Sequence, residues 1–167
     1  MITPWHFWSL LNRRPPLLCA LSMTMKILVL DSGPLGKLAH PKAKPEISDW
    51  FEARILSGDR LIIPEICDYE VRRELLRAGL HESVSRLDSL KLSLEFLPIR
   101  AQSMLLAADL WAKVRNAGMP TAPDLALDGD VIVAAQTLDA FKSAIVVTDN
   151  PKHISRFVDA REYFDIG

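Results

Sequence analysis

The sequence predicts an α/β protein, a three-layer domain built around a mainly parallel sheet. Three observations carry this. Ile27-Leu28-Val29-Leu30, Leu61-Ile62-Ile63 and Ala144 to Val147 are short, continuously apolar runs of the kind found in strands buried on both faces. Segments with apolar residues at helical spacing lie between them, and strands alternating with helices imply parallel pairing through crossovers. The 167 residues suffice for one ordinary domain and not for two, and 49% hydrophobic with 25% charged residues excludes wholesale disorder.

Each element has its own signal. The run Ile27 to Leu30 ends in Asp31-Ser32-Gly33-Pro34, a polar strand end followed by a turn. Ile47, Trp50, Phe51, Ile55 and Leu56 recur at helical spacing, and Gly58 closes that helix. After Leu61 to Ile63, Pro64 stands at a helix-starting position, with Cys67, Val71, Leu75 and Ala78 along one face and Gly79 as the stop. A helix over Glu82 to Leu92 and a weak strand over Glu95 to Pro98 follow. The helix Ala101 to Asn116 is expected to turn Met104, Ala107, Ala108, Trp111 and Val114 inward, with Gly118 as its stop. Asp130 to Phe141 is a nearly all-apolar helix, and the strand at Ala144 to Val147 runs into Thr148-Asp149-Asn150-Pro151. Trp50 and Trp111 read as core.

The first 24 residues differ. Met1 to Thr24 contains no acid; all 21 acids and 18 of the 20 basic residues lie from Met25 onward. A poorly ordered extension and a true start at Met23 or Met25 are equally good readings. An export or membrane signal is weaker, because the apolar run Leu17 to Met23 is far below the ~20 residues that span a bilayer. The expected organisation is an extension over 1–24 and one domain over 25–167. A net charge of −1 excludes a basic coat over the whole chain while leaving room for a local basic patch. Two cysteines, Cys19 and Cys67, without a CxxC or zinc spacing, exclude a disulfide scaffold and point to a reducing, cytoplasmic setting with no membrane.

The candidate chemistry gathers at strand ends, where open α/β sheets collect functional groups. Asp31 and Asp149 each follow a strand. At 100° per residue Glu70 and Glu74 fall on the arc between Ile66 and Cys67, among apolar neighbours. Asp128 and Asp130 open the buried helix, whose first turn delivers them to an inner site. Several acids converging at one sheet end repel one another unless a divalent cation or raised pKa values relieve them, and an oxygen-only cluster suits Mg2+ or Mn2+. Ordinary roles compete: Glu70 with Arg73 and Glu74 with Arg77 as surface ion pairs, Asp128 as a helix cap, Asp149 as a turn residue. Asp31, directly after a buried strand, favours function. Arg72, Arg73 and Arg77 form one basic group beside the acids, and Lys152, His153 and Arg156 another. Either group binds phosphates or is solvated surface charge. Thr148 is a candidate hydrogen-bond partner of a ligand, and His153 reads as a surface or helix-start residue.

Four blocks then point to a family. ILVLDSGPLGKL (Ile27 to Leu38), IIPEICDYEVRREL (Ile62 to Leu75), LDGDVIVAAQTL (Leu127 to Leu138) and IVVTDNPKHISRF (Ile145 to Phe157) resemble, in order, the motif blocks of PIN-domain ribonucleases, including VapC-type toxins. The resemblance implies a three-layer α/β/α PIN-like domain and a metal-dependent endoribonuclease. Asp31, Glu70 and Asp130 would hold one or two Mg2+ or Mn2+ ions, with Asp149 or Asn150 completing the site. Asp128, Thr148 and Glu74 would be accessory. A cation that lowers the pKa of water toward neutrality removes the need for a protein nucleophile. It further implies an RNA substrate, 5′-phosphate and 3′-hydroxyl products, a homodimer, and a cognate antitoxin as partner. Other α/β classes fit less well. A haloacid-dehalogenase phosphatase needs a second Asp where Gly33 stands, a phosphoreceiver's acidic pair and late Lys are not evident, and GxGxxG is missing after the first strand. The alternative from another class is a catalytically inactive PIN-like module that binds RNA or protein.

Overall fold

A five-stranded, wholly parallel sheet organises the computed structural model, which describes residues 25–120 and 128–167. The readings of the amino-terminal segment, and Leu127 of the third motif block, lie outside those residues. The strands are β1 (Ile27–Leu30), β2 (Arg60–Pro64), β3 (Glu95–Leu97), β4 (Ile145–Val147) and β5 (Ala160–Arg161), in the order β3-β2-β1-β4-β5. The chain builds outward from β1 to β3 on one side, then returns to lay β4 against the other edge of β1. This reversal of order between β1 and β4 makes a crevice at their carboxyl ends, the place where such sheets bind ligands. Register fixes it: Leu30 pairs with Val147, and the Asp31 N–H donates to the Val147 carbonyl at 2.9 Å.

Seven α-helices accompany the sheet among the described residues, giving the three-layer α/β/α architecture. They are α1 (Ser32–Ala39), α2 (Pro45–Leu56), α3 (Glu65–Arg77), α4 (His81–Ser93), α5 (Ala101–Asn116), α6 (Gly129–Ala140) and α7 (Pro151–Ile154), with a final 3-10 turn at Tyr163–Asp165. The core joins Leu28, Val29 and Leu30 of β1 to Ile62 and Ile63 of β2, Val146 and Val147 of β4, and Val131 to Ala135 of α6. Helix α6 is buried almost all round, as its apolar composition requires.

Two expectations are corrected. Helix α1 stands where a turn was expected. Asp31 caps it by accepting the Ser32 N–H, and Pro34 falls in the first turn, where a missing N–H costs no helical hydrogen bond. On α5, Ala107 and Val114 are buried and Trp111 is half-buried, but Met104 is 40% exposed and Ala108 also faces outward. Ser103 takes the inward place instead and donates its hydroxyl hydrogen to Asp139 of α6 at 2.7 Å. A buried partner thus outweighs hydrophobic count in setting which side of α5 faces in. The two-residue strand β5 and the closing 3-10 turn are too short to leave a periodic signal.

Candidate active site

Asp31 is the fixed point of the crevice. Its carboxylate is buried, accepting the Thr148 hydroxyl at Oδ2 (2.7 Å) and the Ser32 N–H at Oδ1 (2.7 Å). Cys67 Sγ lies 3.8 Å from Oδ1. Burial, followed by the negative charges of Asp31 and Glu70, pushes the Cys67 thiol well up, so it is a neutral neighbour rather than a nucleophile.

Glu70 of α3 reaches the same crevice from the opposite wall. Its carboxylate abuts Gly129 at the start of α6, where a Cβ would collide with Glu70 Oε1. Burial pushes its pKa up; the Ser32 hydroxyl, which donates to it, opposes this, and the charges of Asp31 and Asp130 add to the rise. Asp130, in the first turn of α6, is likewise raised, first by burial and then by Asp31 and Asp128. His153 of α7 partly offsets this, with Nδ1 3.3 Å from Asp130 Oδ2. Asp128 is buried and caps α6 by accepting the Val131 N–H at 3.4 Å. Three carboxylates from β1's end, α3 and α6 therefore sense one another, and no lysine or arginine is bonded to any of them among the described residues. The donor set consists of hard oxygens only, which fits Mg2+ or Mn2+ and not a softer metal. As the side chains stand, no group of three acid, histidine or cysteine side chains among the described residues is close enough to enclose an ion.

No protein-family model and no curated relative matches the sequence. Solved structures do match. VapBC2 from Rickettsia felis, bound to a DNA fragment from its promoter, superposes with a TM-score of 0.66 at 16% identity, over 81% of this chain and 98% of that one. VapBC-1 from nontypeable Haemophilus influenzae gives 0.61 at 20% identity, over 83% and 98%. FitAcB from Neisseria gonorrhoeae gives 0.63 at 16% identity, over 83% and 99%. The chain shares the three-layer α/β/α, PIN-like fold of these structures.

Around this PIN-like crevice the remaining expected residues divide. Asp149 stands across Gly33, where a Cβ would come within 2.5 Å of its Oδ2, but its Oδ1 is ion-paired to Lys37 Nζ at 2.6 Å. Asn150 is exposed and contributes its backbone N–H to the Thr148 hydroxyl oxygen at 3.1 Å; its side chain makes no cap bond. Thr148 thus links the two strand ends. Glu74, expected among apolar neighbours, lines a groove with Glu70, Ser32 and Gly33 but is exposed and paired with Arg77 at 2.8 Å. Arg72 does not join the acids either: it bonds Asp68 and Asp88, both at 2.8 Å, on the side of α3 that meets α4. Arg73 is exposed, 5.4 Å from the centre of the Tyr69 ring, and acts on Glu70 only at a distance. Lys152 is exposed, and Arg156 donates to the Met119 carbonyl at 2.7 Å. Sequence reasoning missed Ser32, Lys37 and Gly129. Only Gly129 left a signal, a glycine held between two aspartates at a helix start.

Proposed function

We propose that the chain is an endoribonuclease that hydrolyses RNA phosphodiester bonds with Mg2+ or Mn2+ bound at Asp31, Glu70 and Asp130. One observation carries this reading: three carboxylates from separate elements converge beside β1 and β4, and two of them have raised pKa values with no lysine or arginine bonded. Held by Thr148 and Ser32, Asp31 is a rigid anchor. Glu70 and Asp130 hold protons more readily than ordinary acids and would release them to a cation. A bound dication would supply an activated water at neutral pH and neutralise charge on the phosphate. His153 beside Asp130 orients that carboxylate, and Asp149 closes the rim opposite Gly33.

The same proposal makes the chain the toxin half of a toxin–antitoxin pair, a homodimer acting in the cytoplasm. The fold shared with the VapBC and FitAB complexes supports it. Among the described residues no helix is long and apolar enough to cross a membrane. A second reading, an inactive PIN-like binding module, is favoured by the Lys37 ion pair that occupies Asp149. The deciding experiment is cleavage of a mixed, structured RNA pool at low salt with manganese, with EDTA, and by Asp31→Asn. Cutting with manganese should fall at least ~100-fold in both controls. Full activity of Asp31→Asn would refute the site, and a folded chain that neither cuts nor responds to manganese would establish the binding module.

A further inference from the structure

Beside the acidic crevice, the turn between α1 and α2 faces Tyr163 across an open groove of about 450 Å³. Lys37, His40, Lys42 and Lys44 line it, all exposed. Residues 37–44 contain no acid, in a chain whose net charge is −1. His40 Nδ1 accepts the Lys42 N–H at 3.0 Å. The other wall is aromatic. Tyr163 lies edge-on to Trp50 at 6.0 Å and to Phe164 at 5.4 Å, with Lys37 Nζ 5.7 Å from its ring centre. Phe164 is 64% exposed. The groove reaches the crevice through Lys37, which holds Asp149 opposite Gly33. Among the described residues, Lys42 and Lys44 have no ion-pair partner.

Cations along one wall, Tyr163 on the other and the exposed Phe164 ring packed edge-on against Tyr163 match one ligand chemistry, a polynucleotide strand with its phosphates on the lysines and a base against the exposed ring. A duplex keeps its bases stacked on one another and has no face to offer Phe164. An acidic peptide would satisfy the lysines and leave the ring unused. We propose that this groove seats a single-stranded stretch of RNA leading into the acid cluster, with phosphates on Lys42 and Lys44 and a base on Phe164. That the bound strand is the one cut rests on the nuclease reading; that it binds does not.

The test is fluorescence anisotropy with a labelled single-stranded RNA and a blunt-ended, loop-free RNA duplex of equal length, using the full chain in EDTA so that binding is read without cleavage. Lys42→Ala/Lys44→Ala should weaken single-strand binding roughly tenfold at low salt and reduce the salt slope by about 1.4, and Lys42→Arg/Lys44→Arg should restore both. Phe164→Ala should weaken it by roughly 5-fold or more while leaving duplex binding unchanged. These side chains are exposed, so melting temperatures should match wild type. With manganese, both variants should raise KM for long RNA at constant kcat. If wild type cuts RNA while both variants bind and cut as it does, the groove is wrong and the nuclease reading stands. If the chain binds through these residues but never cuts, the groove stands and the nuclease reading falls. Equal binding of duplex and single strand, or displacement of RNA by an acidic peptide with the same lysine dependence, overturns the proposal.

Discussion

Asp68 and Glu70 lie two residues apart on α3, and their surroundings differ. Asp68 is buried and held by Arg72 at 2.8 Å and by Lys91 of α4 at 3.5 Å, while Asp88 receives the same Arg72 at 2.8 Å. Glu70 faces the other way, toward Asp31 and Asp130, and its pKa is pushed up. The fold evidently has the means to neutralise a buried carboxylate, since it does so one half-turn away. At the crevice it gathers further carboxylates instead. A buried charge left uncompensated costs stability, and a chain retains one where the charge serves a ligand. Among the described residues Asp68 is bonded to both an arginine and a lysine whereas Glu70 and Asp130 are bonded to neither, and this difference separates the framework from the crevice.

That contrast can be broken from either side. The largest stability effect is expected on the paired side. Arg72→Ala leaves Asp68 buried with Lys91 alone and should cost about 2 kcal/mol in urea unfolding. RNA cleavage by the folded variant should be unchanged, and a loss of activity larger than the loss of folded protein would place Arg72 in the site after all. On the unpaired side, Gly129→Ala inserts a Cβ where the Glu70 carboxylate rests. Its backbone is helical, so melting should hardly move while cleavage falls roughly tenfold, equivalent to ~1.4 kcal/mol. An unaffected rate would mean that Glu70 does not work from this position.

The smallest effect has a definite sign. Because the folded pKa of Glu70 is raised above its unfolded value, the native state binds the proton more tightly, and stability is lost as pH rises through the folded pKa. The penalty is fully present above that point and absent below the unfolded value. Glu70→Gln removes it. In EDTA the variant should be more stable than wild type at pH 7, with the two curves converging as pH falls below about 4. A variant less stable than wild type at neutral pH would show that Glu70 is compensated in the native state.

Much of this frame was readable beforehand. Strands β1, β2 and β4 announce themselves as continuous apolar runs because both faces of the sheet are covered, and α6 does so because it is buried all round. Strand ends, a helical arc and a helix start offered Asp31 and Asp149, Glu70 with Glu74, and Asp128 with Asp130, and the resemblance to PIN-domain ribonucleases chose Asp31, Glu70 and Asp130 among them. What stayed hidden depends on packing between distant segments. The pairing of Asp68 needs Asp88 and Lys91 on another helix, so no local pattern reveals it. Glu74 shares the arc of Glu70 and lines the same groove, and its exposure and its pairing with Arg77 separate the two. Lys37 belongs to a helix whose Gly33-Pro34 start reads as a turn, so its pairing with Asp149, 112 residues away in sequence, had no local counterpart.

The most direct test of the central claim is the melting temperature of wild type and of Glu70→Gln with and without manganese. A dication bound at Asp31, Glu70 and Asp130 and held near a hundredfold above its Kd should contribute about 2.7 kcal/mol, a rise of roughly 5–10 °C for a chain of this size. The account predicts that rise in wild type and its loss in Glu70→Gln. An equal rise in both, or none in either, would contradict it.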